Sequence, residues 1–195
     1  MNTERIRSCF EEIIRIKILI GDIETLSLLE NSNTELNLDY FNLYQLISFV
    51  AKNFEAQLIE HHMTIDILFG EHYNPKLYEN FYADPDKIKQ IFINLISNSI
   101  KYAGDGTQVK IILNNTASDD YLIQFKDNGQ GIQEKDAPFI FERFYRVDPS
   151  RTGHNGIGIG LTLVQSIIHK HLGEITLMNK EETGTEFEIK LPRTP

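Results

Sequence analysis

The sequence predicts an α+β fold, a two-layer sandwich of a mixed β-sheet with helices on one face, preceded by one long helix. Segments 109–114 and 121–127 alternate apolar and polar residues and are separated by a short turn, which is typical of paired strands. Residues 85–102 repeat apolar side chains at helical spacing. Residues 4–30 carry a longer helical repeat, with Gly21 on its flank, and turn-favouring residues follow from position 31.

Composition excludes several classes of protein. The chain has 195 residues, of which 41% are hydrophobic and 24% charged, with a formal net charge of −9. This negative charge argues against a nucleic-acid partner, which requires a basic surface. Cys9 is the only cysteine, so an internal disulfide and a cysteine-built zinc site are excluded. The sequence shows no signal peptide and no membrane span, which indicates a cytoplasmic domain.

The first helical segment carries an apolar seam in alternating steps of three and four residues, formed by Ile6, Cys9, Ile13, Ile16, Ile20 and Ile23. Such a seam is typical of a coiled coil or an antiparallel bundle, and an ordinary helix packed on its own domain fits the spacing equally well. Residues 31–34 favour turns. We therefore expect two units, residues 1–33 and residues 34–195.

Beyond this break, strands and helices interleave. We expect strands at 35–40, 64–69, 77–83, 109–114, 121–127, 174–178 and 186–191, and helices at 42–61, 85–102 and 161–171. Asp84 and Pro85 are a favourable N-cap and first residue for the second of these helices. The stretch 133–155 lacks a regular pattern and is long for a connection, which predicts a functional lid.

Polar residues share one face of the helix 85–102. Asn94, Asn98 and Lys101 follow one another at intervals of four and three residues, while apolar residues occupy the opposite side. Amide oxygens suit a hard cation such as Mg²⁺, and Lys101 adds a positive charge one turn further on. Taken alone, the pattern also fits a solvated helix face.

A second cluster follows the strand 121–127. Asp127 ends that strand, and Gly129 and Gly131 come directly after it. Glycines permit a close backbone approach, and a carboxylate at a strand end can accept a hydrogen bond from an amine. A tight turn with a local side-chain hydrogen bond is the alternative interpretation.

A third cluster combines aromatic and basic residues within 139–146. Phe139, Phe141 and Phe144 can pin an irregular segment to the core, leaving Arg143 and Arg146 to meet phosphate oxygens, with Arg151 following. A short amphipathic helix with solvated arginines fits the same residues.

Three alternating glycines run into the last helix, at Gly156, Gly158 and Gly160. Glycines at this spacing let backbone N–H groups close on a phosphate, and the helix N-terminus adds partial positive charge. A chain-reversing turn is the alternative.

These four clusters, in this order, resemble the N, G1, F and G2 boxes of the bacterial sensor histidine kinase ATP-binding domain, a Bergerat-fold (GHKL) module. The resemblance covers roughly residues 35–192, and the stretches 141–146 and 158–161 are specific to that family. It implies ATP and Mg²⁺ as cofactors. Residues 22–30 are similar to the second helix of the kinase dimerisation and phosphotransfer hairpin.

The resemblance implies a role for each matching residue. Asn98 corresponds to the Mg²⁺-chelating asparagine, with Asn94 on the phosphate side, Lys101 a phosphate contact and Tyr102 packing beside the nucleotide. Asp127 corresponds to the aspartate that binds the adenine amine, which selects adenine because guanine lacks that donor. The other implied nucleotide contacts are Gly129, Gly131, Ile132, Phe141, Arg143, Arg146, Gly156, Gly158, Gly160 and Leu161; Arg143 is counted with Asn94 and Lys101 as catalytic.

Asn94 distinguishes subclasses of this family. ATP-hydrolysing relatives of the gyrase type carry a glutamate there as a general base, and an amide cannot accept that proton. We therefore expect transfer of the γ-phosphate to a protein acceptor, through positioning and charge neutralisation. None of the six histidines lies in a phosphoacceptor context, so we expect the acceptor upstream of residue 1 and no autophosphorylation by this chain alone.

The resemblance also implies partners: a homodimer of the parent kinase through the hairpin, and the receiver domain of a response regulator. The parent would be anchored in the plasma membrane, with this chain as a cytoplasmic domain. Two alternatives remain: a nucleotide-binding module without kinase activity, and a serine kinase of the anti-sigma-factor type, which has no reason to carry the seam at 4–30.

Overall fold

The computed structural model describes residues 2–31, 35–147, 158–178 and 184–194. Five strands form one sheet in the order β2-β4-β5-β7-β6, and two short strands, β1 and β3, pair separately. The strands are β1 (Asp39–Phe41), β2 (Thr64–Phe69), β3 (Phe81–Ala83), β4 (Gln108–Asn115), β5 (Tyr121–Asp127), β6 (Glu174–Leu177) and β7 (Thr185–Leu191). Strands β2 and β4 are parallel and the other pairs antiparallel, so the predicted mixed sheet is confirmed.

Six helices accompany these strands in the described part of the chain. They are α1 (Asn2–Glu30), α2 (Leu43–Asn53), α3 (Glu55–Glu60), α4 (Pro75–Glu79), α5 (Pro85–Tyr102) and α6 (Gly160–Lys170). No helix among the described residues has both the length and the apolar character needed to cross a bilayer.

The sheet buries one face. Along β4, Val109, Ile111 and Leu113 are fully buried, whereas the intervening residues are partly or fully exposed. Strands β5 and β7 show the same alternation, and the buried residues of α5 and α6 belong to the same apolar core. Helices therefore cover one face of the sheet, which confirms the prediction made from the order of strands and helices along the sequence.

The start of α5 is defined by its capping residues. The side chain of Asp84 accepts hydrogen bonds from the backbone N–H groups of Asp86 and Lys87, and Pro85 occupies the first helical position. The backbone N–H of Asp84 donates to Nε2 of His171, which is buried just after α6. This contact joins the beginning of α5 to the end of α6, the two helices that carry the candidate site.

Three expectations need correction. The segment 77–83 is not one strand: Asn74 caps the helix α4, so only Phe81–Ala83 remains extended and pairs with β1. The helix expected at 42–61 divides into α2 and α3 at Phe54, whose N–H bonds back three residues to Ala51. The strand expected at 35–40 is limited to Asp39–Phe41.

The long helix expected at 4–30 is confirmed as α1, and its two ends differ in burial. Leu26 and Leu29 are buried in the domain core near α6, and Nζ of Lys170 donates to the carbonyl oxygen of Asn31. The preceding isoleucines of the seam are about half exposed or more: Ile6, Ile13, Ile16, Ile20 and Ile23.

Candidate functional site

The polar face of α5 lies against the beginning of α6. Nδ2 of Asn94 donates to the carbonyl oxygen of Gln90 at 2.9 Å, which fixes the orientation of the amide. A Cβ atom placed on Gly160 would lie 2.8 Å from Oδ1 of Asn94 and 3.9 Å from Nδ2 of Asn98. Because Gly160 has no side chain, α6 can begin directly beside the two amides. The structure thus brings together the first and fourth sequence clusters.

The N-terminus of α6 is well suited to an anion. The helix begins at Gly160, one residue before the position that the sequence predicted, and Ile159 before it offers no side-chain cap. The first backbone N–H groups of any α-helix lack a carbonyl partner within the helix and carry partial positive charge. These groups lie next to the amides of α5, which is a favourable arrangement for phosphate.

Asp127 is held at the end of β5 by three hydrogen bonds. Its Oδ1 accepts from the backbone N–H groups of Gly129 at 3.0 Å and Thr185 at 3.2 Å. Its Oδ2 accepts from the hydroxyl of Ser99 at 3.3 Å, and Ser99 is a buried residue of α5. A carboxylate oxygen can accept more than one hydrogen bond, so Oδ2 keeps capacity for an amine donor.

The glycines after β5 are required by neighbouring backbone. A Cβ atom on Gly129 would lie 2.5 Å from Cβ of Ala103, at the end of α5. Gly131 has a φ of +72°, and its Cβ would lie 2.8 Å from the carbonyl oxygen of Gly184. These two glycines therefore lie close to other parts of the chain, and their approach to a nucleotide base stays a prediction.

The turn at residues 140–147, here called the FR turn, is hydrogen-bonded to the segment where α6 begins. The carbonyl oxygen of Phe141 accepts from Oγ1 of Thr162 at 2.9 Å, and the ring of Phe141 packs on that of Phe187. The N–H of Phe144 donates to the carbonyl oxygen of Gly158 at 2.9 Å. Phe139 and Phe144 are 42% and 63% exposed, so the expectation that the aromatics pin this segment to the core holds for Phe141 and is wrong for those two residues.

The other predicted residues surround these groups. Arg143 is exposed and Arg146 half-buried on the FR turn. Lys101 and Tyr102 are exposed at the end of α5, where the carbonyl oxygen of Tyr102 accepts from Nε2 of Gln130. Two further predicted contacts pack partly buried against the core, Ile132 and Leu161. Gly156 and Arg151 lie outside the described residues.

An Mg²⁺ ion, which the sequence leads us to expect, would need oxygen ligands from this site. The described residues contain no group of three or more His, Cys, Asp or Glu side chains able to hold a metal ion. Mg²⁺ commonly takes one or two protein oxygens and completes its shell with water and substrate phosphates. The amide of Asn98, beside the phosphate-suited start of α6, fits that mode of binding.

Sequence reasoning missed the residues that hold Asp127. Ser99 follows Asn98 directly, but its hydroxyl points to a carboxylate 28 positions away. Thr185 contributes a backbone N–H from 58 positions away, and no local sequence pattern predicts this contact. Gly184, expected only as part of a turn, has a φ of +114° and lies against the carbonyl oxygen of Asp127.

Comparison with known proteins identifies the family of this chain. Residues 83–195 match the family described as histidine kinase-, DNA gyrase B-, and HSP90-like ATPase. The sensor histidine kinase WalK of Bacillus subtilis is 32% identical over 184 residues, which cover 93% of this chain and 29% of that protein. Hybrid signal transduction histidine kinase D of Dictyostelium discoideum is 32% identical over 182 residues, 91% of this chain and 11% of that protein. The chain thus spans less than a third of these relatives.

Solved structures show the same architecture. Histidine kinase AdeS of Acinetobacter baumannii superposes with a TM-score of 0.78 at 26% identity, covering 97% of this chain and 84% of that one. The catalytic domain of histidine kinase ThkA superposes with a TM-score of 0.69 at 28% identity, covering 82% of this chain and all of that one. The chain therefore belongs to the histidine kinase-, DNA gyrase B-, and HSP90-like ATPase family, as the ATP-binding catalytic portion of a sensor histidine kinase.

Proposed function

We propose that this chain binds Mg·ATP and donates the γ-phosphate to a histidine of its parent kinase. One observation carries the proposal: the amides of Asn94 and Asn98 face Gly160 at the bare N-terminus of α6. This arrangement sets the amide oxygen of Asn94 and the amide group of Asn98 beside backbone N–H groups, and these neutral polar groups suit a metal-bound triphosphate.

The two ends of the proposed site have different chemistry. At the base end, Asp127 accepts the adenine amine, and its hydrogen bonds to Ser99, Gly129 and Thr185 hold the carboxylate in place. At the phosphate end, Asn98 binds Mg²⁺ and Asn94 lines the phosphates. The remaining proposed phosphate contacts are Lys101, Arg143, Arg146, Gly156, Gly158 and Gly160.

Asn94 favours phosphate transfer over hydrolysis. Its Nδ2 donates to the carbonyl oxygen of Gln90, and an amide has no basic atom with which to deprotonate water. Phosphoryl transfer needs little covalent help from the protein and depends on positioning and charge neutralisation. A site of this kind keeps the γ-phosphate intact until an acceptor reaches it.

The parent's partners follow as further proposals. We propose that residues 1–33 belong to a dimerisation and phosphotransfer hairpin, because the exposed isoleucines of α1 form an apolar seam that another helix can cover. The receiving protein would be a response regulator; one structure similar to this chain shows the kinase ThkA in complex with the response regulator TrrA. The parent would be anchored in the plasma membrane.

Titration calorimetry with ATP, with and without Mg²⁺, tests the proposal. We expect Asn98→Ala to weaken binding in the presence of Mg²⁺ by about tenfold, as expected for a lost metal ligand worth about 1.4 kcal/mol. Without Mg²⁺ the variant and the unsubstituted chain should bind alike. Asn53→Ala, at an exposed helical asparagine of α2, is the matched control and should change neither titration.

Two results would refute this function. One is an absence of ATP affinity, or an affinity that depends on neither Mg²⁺ nor Asn98. The other concerns the acceptor: labelled γ-phosphate that appears on a histidine of the isolated chain, as an acid-labile and base-stable adduct, would show that the acceptor lies within these residues.

A further inference from the structure

Partly buried Tyr145 and buried Asp136 form a hydrogen-bonded pair beside the proposed phosphate end of the site. The hydroxyl of Tyr145 donates to Oδ1 of Asp136 at 2.6 Å, and this hydrogen bond raises the pKa of Tyr145 above its usual value. Asp136 is 5% exposed, and its Oδ2 has no hydrogen-bond partner in the described part of the chain. A buried carboxylate needs its partners, so this one depends strongly on the tyrosine.

Tyr145 also contacts the glycine before α6. A Cβ atom on Gly158 would lie 2.4 Å from the carbonyl oxygen of Tyr145 and 2.8 Å from the carbonyl carbon of Phe144. Gly158 has a φ of +78°, and its own carbonyl oxygen accepts from the N–H of Phe144. The backbone at residues 144–145 therefore packs directly on Gly158 and limits where that glycine can lie.

The ring of Tyr145 adds a third contact. It packs on Phe139 with centroids 5.5 Å apart, on the 3₁₀ turn Ala137–Phe139 that directly follows Asp136. The N–H of Phe139 donates to the carbonyl oxygen of Asp136 at 2.9 Å, so the backbone of Asp136 is held by the same turn. Tyr145 thus connects the 3₁₀ turn to Gly158, two residues before the start of α6.

We propose that Tyr145, held by Asp136, is a positioning residue that sets Gly158 for triphosphate binding. The inference rests on the proposed function, since it assigns Gly158 to the phosphates. Tyr145 need not contact the nucleotide itself. Without its hydroxyl bond, residues 144–145 lose a fixed point and the backbone of Gly158 shifts with them.

The effect should be confined to the phosphate end. Asp127 is held by Ser99, Gly129 and Thr185, none of which contacts the FR turn through a hydrogen bond in the described residues. Adenosine, which has no phosphate, reports on that base end alone. A nonhydrolysable ATP analogue with Mg²⁺ reports on both ends.

The test compares the affinity of the chain for Mg·AMP-PNP with its affinity for adenosine. We expect Tyr145→Phe to weaken Mg·AMP-PNP binding about tenfold, the loss of one hydrogen bond to a charged group, and to change adenosine binding less than about twofold. Asp136→Ala should produce the same selective loss. Asp136→Asn should recover part of it, because an amide oxygen still accepts from the tyrosine.

Tyr73→Phe is the matched control. Its ring packs on Phe69 with an interplanar angle of 33°, much as Tyr145 packs on Phe139 at 36°, and its hydroxyl makes no hydrogen bond in the described part of the chain. This substitution should leave both affinities unchanged. Combining Tyr145→Phe with Asp136→Ala should add little to either single loss, because both remove the same bond.

The possible results are distinct. If the unsubstituted chain fails to bind Mg·AMP-PNP, both the proposed function and this inference are refuted. If the unsubstituted chain and Tyr145→Phe bind Mg·AMP-PNP equally well, only this inference is refuted. An equal loss for adenosine and Mg·AMP-PNP would show that Tyr145 merely supports the fold, which also overturns a positioning role.

Discussion

Substituting Gly158 by alanine should abolish most of the triphosphate affinity. The residue has a φ of +78°, in the left-handed region that side chains with a Cβ atom avoid. A Cβ atom there would also lie 2.4 Å from the carbonyl oxygen of Tyr145, which is backbone and cannot rotate away. The alanine variant must therefore change both the conformation of residue 158 and its distance from the FR turn.

The magnitude follows from these two changes. A left-handed conformation costs an alanine roughly 1–2 kcal/mol. Separating the two segments breaks the bond from the Phe144 N–H to the Gly158 carbonyl oxygen, which is worth about 1 kcal/mol. If the native conformation is the one that binds triphosphate, a penalty of about 2–3 kcal/mol lowers the affinity roughly 30- to 150-fold.

Gly106→Ala separates backbone strain from steric contact. Gly106 has a φ of +76°, almost the value at Gly158, but a Cβ atom there would meet nothing within 4 Å. Calorimetry should show near-normal binding of Mg·AMP-PNP by Gly106→Ala, and urea unfolding should show a loss of about 1–2 kcal/mol in stability. The reasoning is refuted if Gly158→Ala binds normally, or if Gly106→Ala loses the same affinity.

Two further predictions concern the joint between helices and the apolar seam. Burial lowers the pKa of His171, whose neutral Nε2 accepts from the Asp84 N–H while Nδ1 donates to the Ile167 carbonyl oxygen. Below the ordinary pKa of about 6.5 the unfolded chain binds the proton more readily, so the free energy of unfolding should fall with decreasing pH. Urea unfolding measured at decreasing pH below about 6.5 should show that the free energy of unfolding falls less steeply for His171→Gln than for the unsubstituted chain. An equal pH dependence of the two proteins would contradict the assignment of this effect to His171. The exposed isoleucines of α1 should cause concentration-dependent association in analytical ultracentrifugation. The double substitution Ile16→Ser and Ile20→Ser should suppress this association. Association that the double substitution leaves unchanged would exclude the seam as the associating surface.

Local signals were sufficient for the elements that carry the site. Helix α5 has the bounds that were predicted, because Asp84 and Pro85 mark its start and a turn follows Tyr102. Strand β5 also has the predicted bounds, since its alternation is regular and one face is buried. The expected strand at 77–83 failed because Asn74 caps a helical turn there. Tyr78 is buried in that turn, where its hydroxyl donates to the carbonyl oxygen of Asn114.

The residues of the candidate site could be predicted from the sequence, but the tertiary contacts that hold them could not. Asn94, Asn98, Asp127 and Gly160 were all singled out from the sequence, and the structure brings the first two beside Gly160. The hydrogen bonds that position these residues come from distant segments of the chain, such as the bond from the Thr185 N–H to Asp127. Tertiary contacts of this kind have no periodicity and no fixed spacing, so no pattern along one chain indicates them.

The proposed base end and the proposed phosphate end of the site are bonded to different parts of the fold, and on the proposed function this separation would suit the release of a phosphate. The base end rests on the sheet: Asp127 belongs to β5, and two of its three hydrogen bonds come from Ser99 on α5 and Thr185 on β7. The phosphate end rests on single contacts between the FR turn and α6, from Phe144 to Gly158 and from Thr162 to Phe141. On the proposed function, the hydrogen bonds that already hold Asp127 would keep the ordering cost of adenine binding low. If the proposed function holds, the hydrogen bonds from Phe144 to Gly158 and from Thr162 to Phe141 could change when the γ-phosphate leaves without disturbing the separate bonds that hold Asp127.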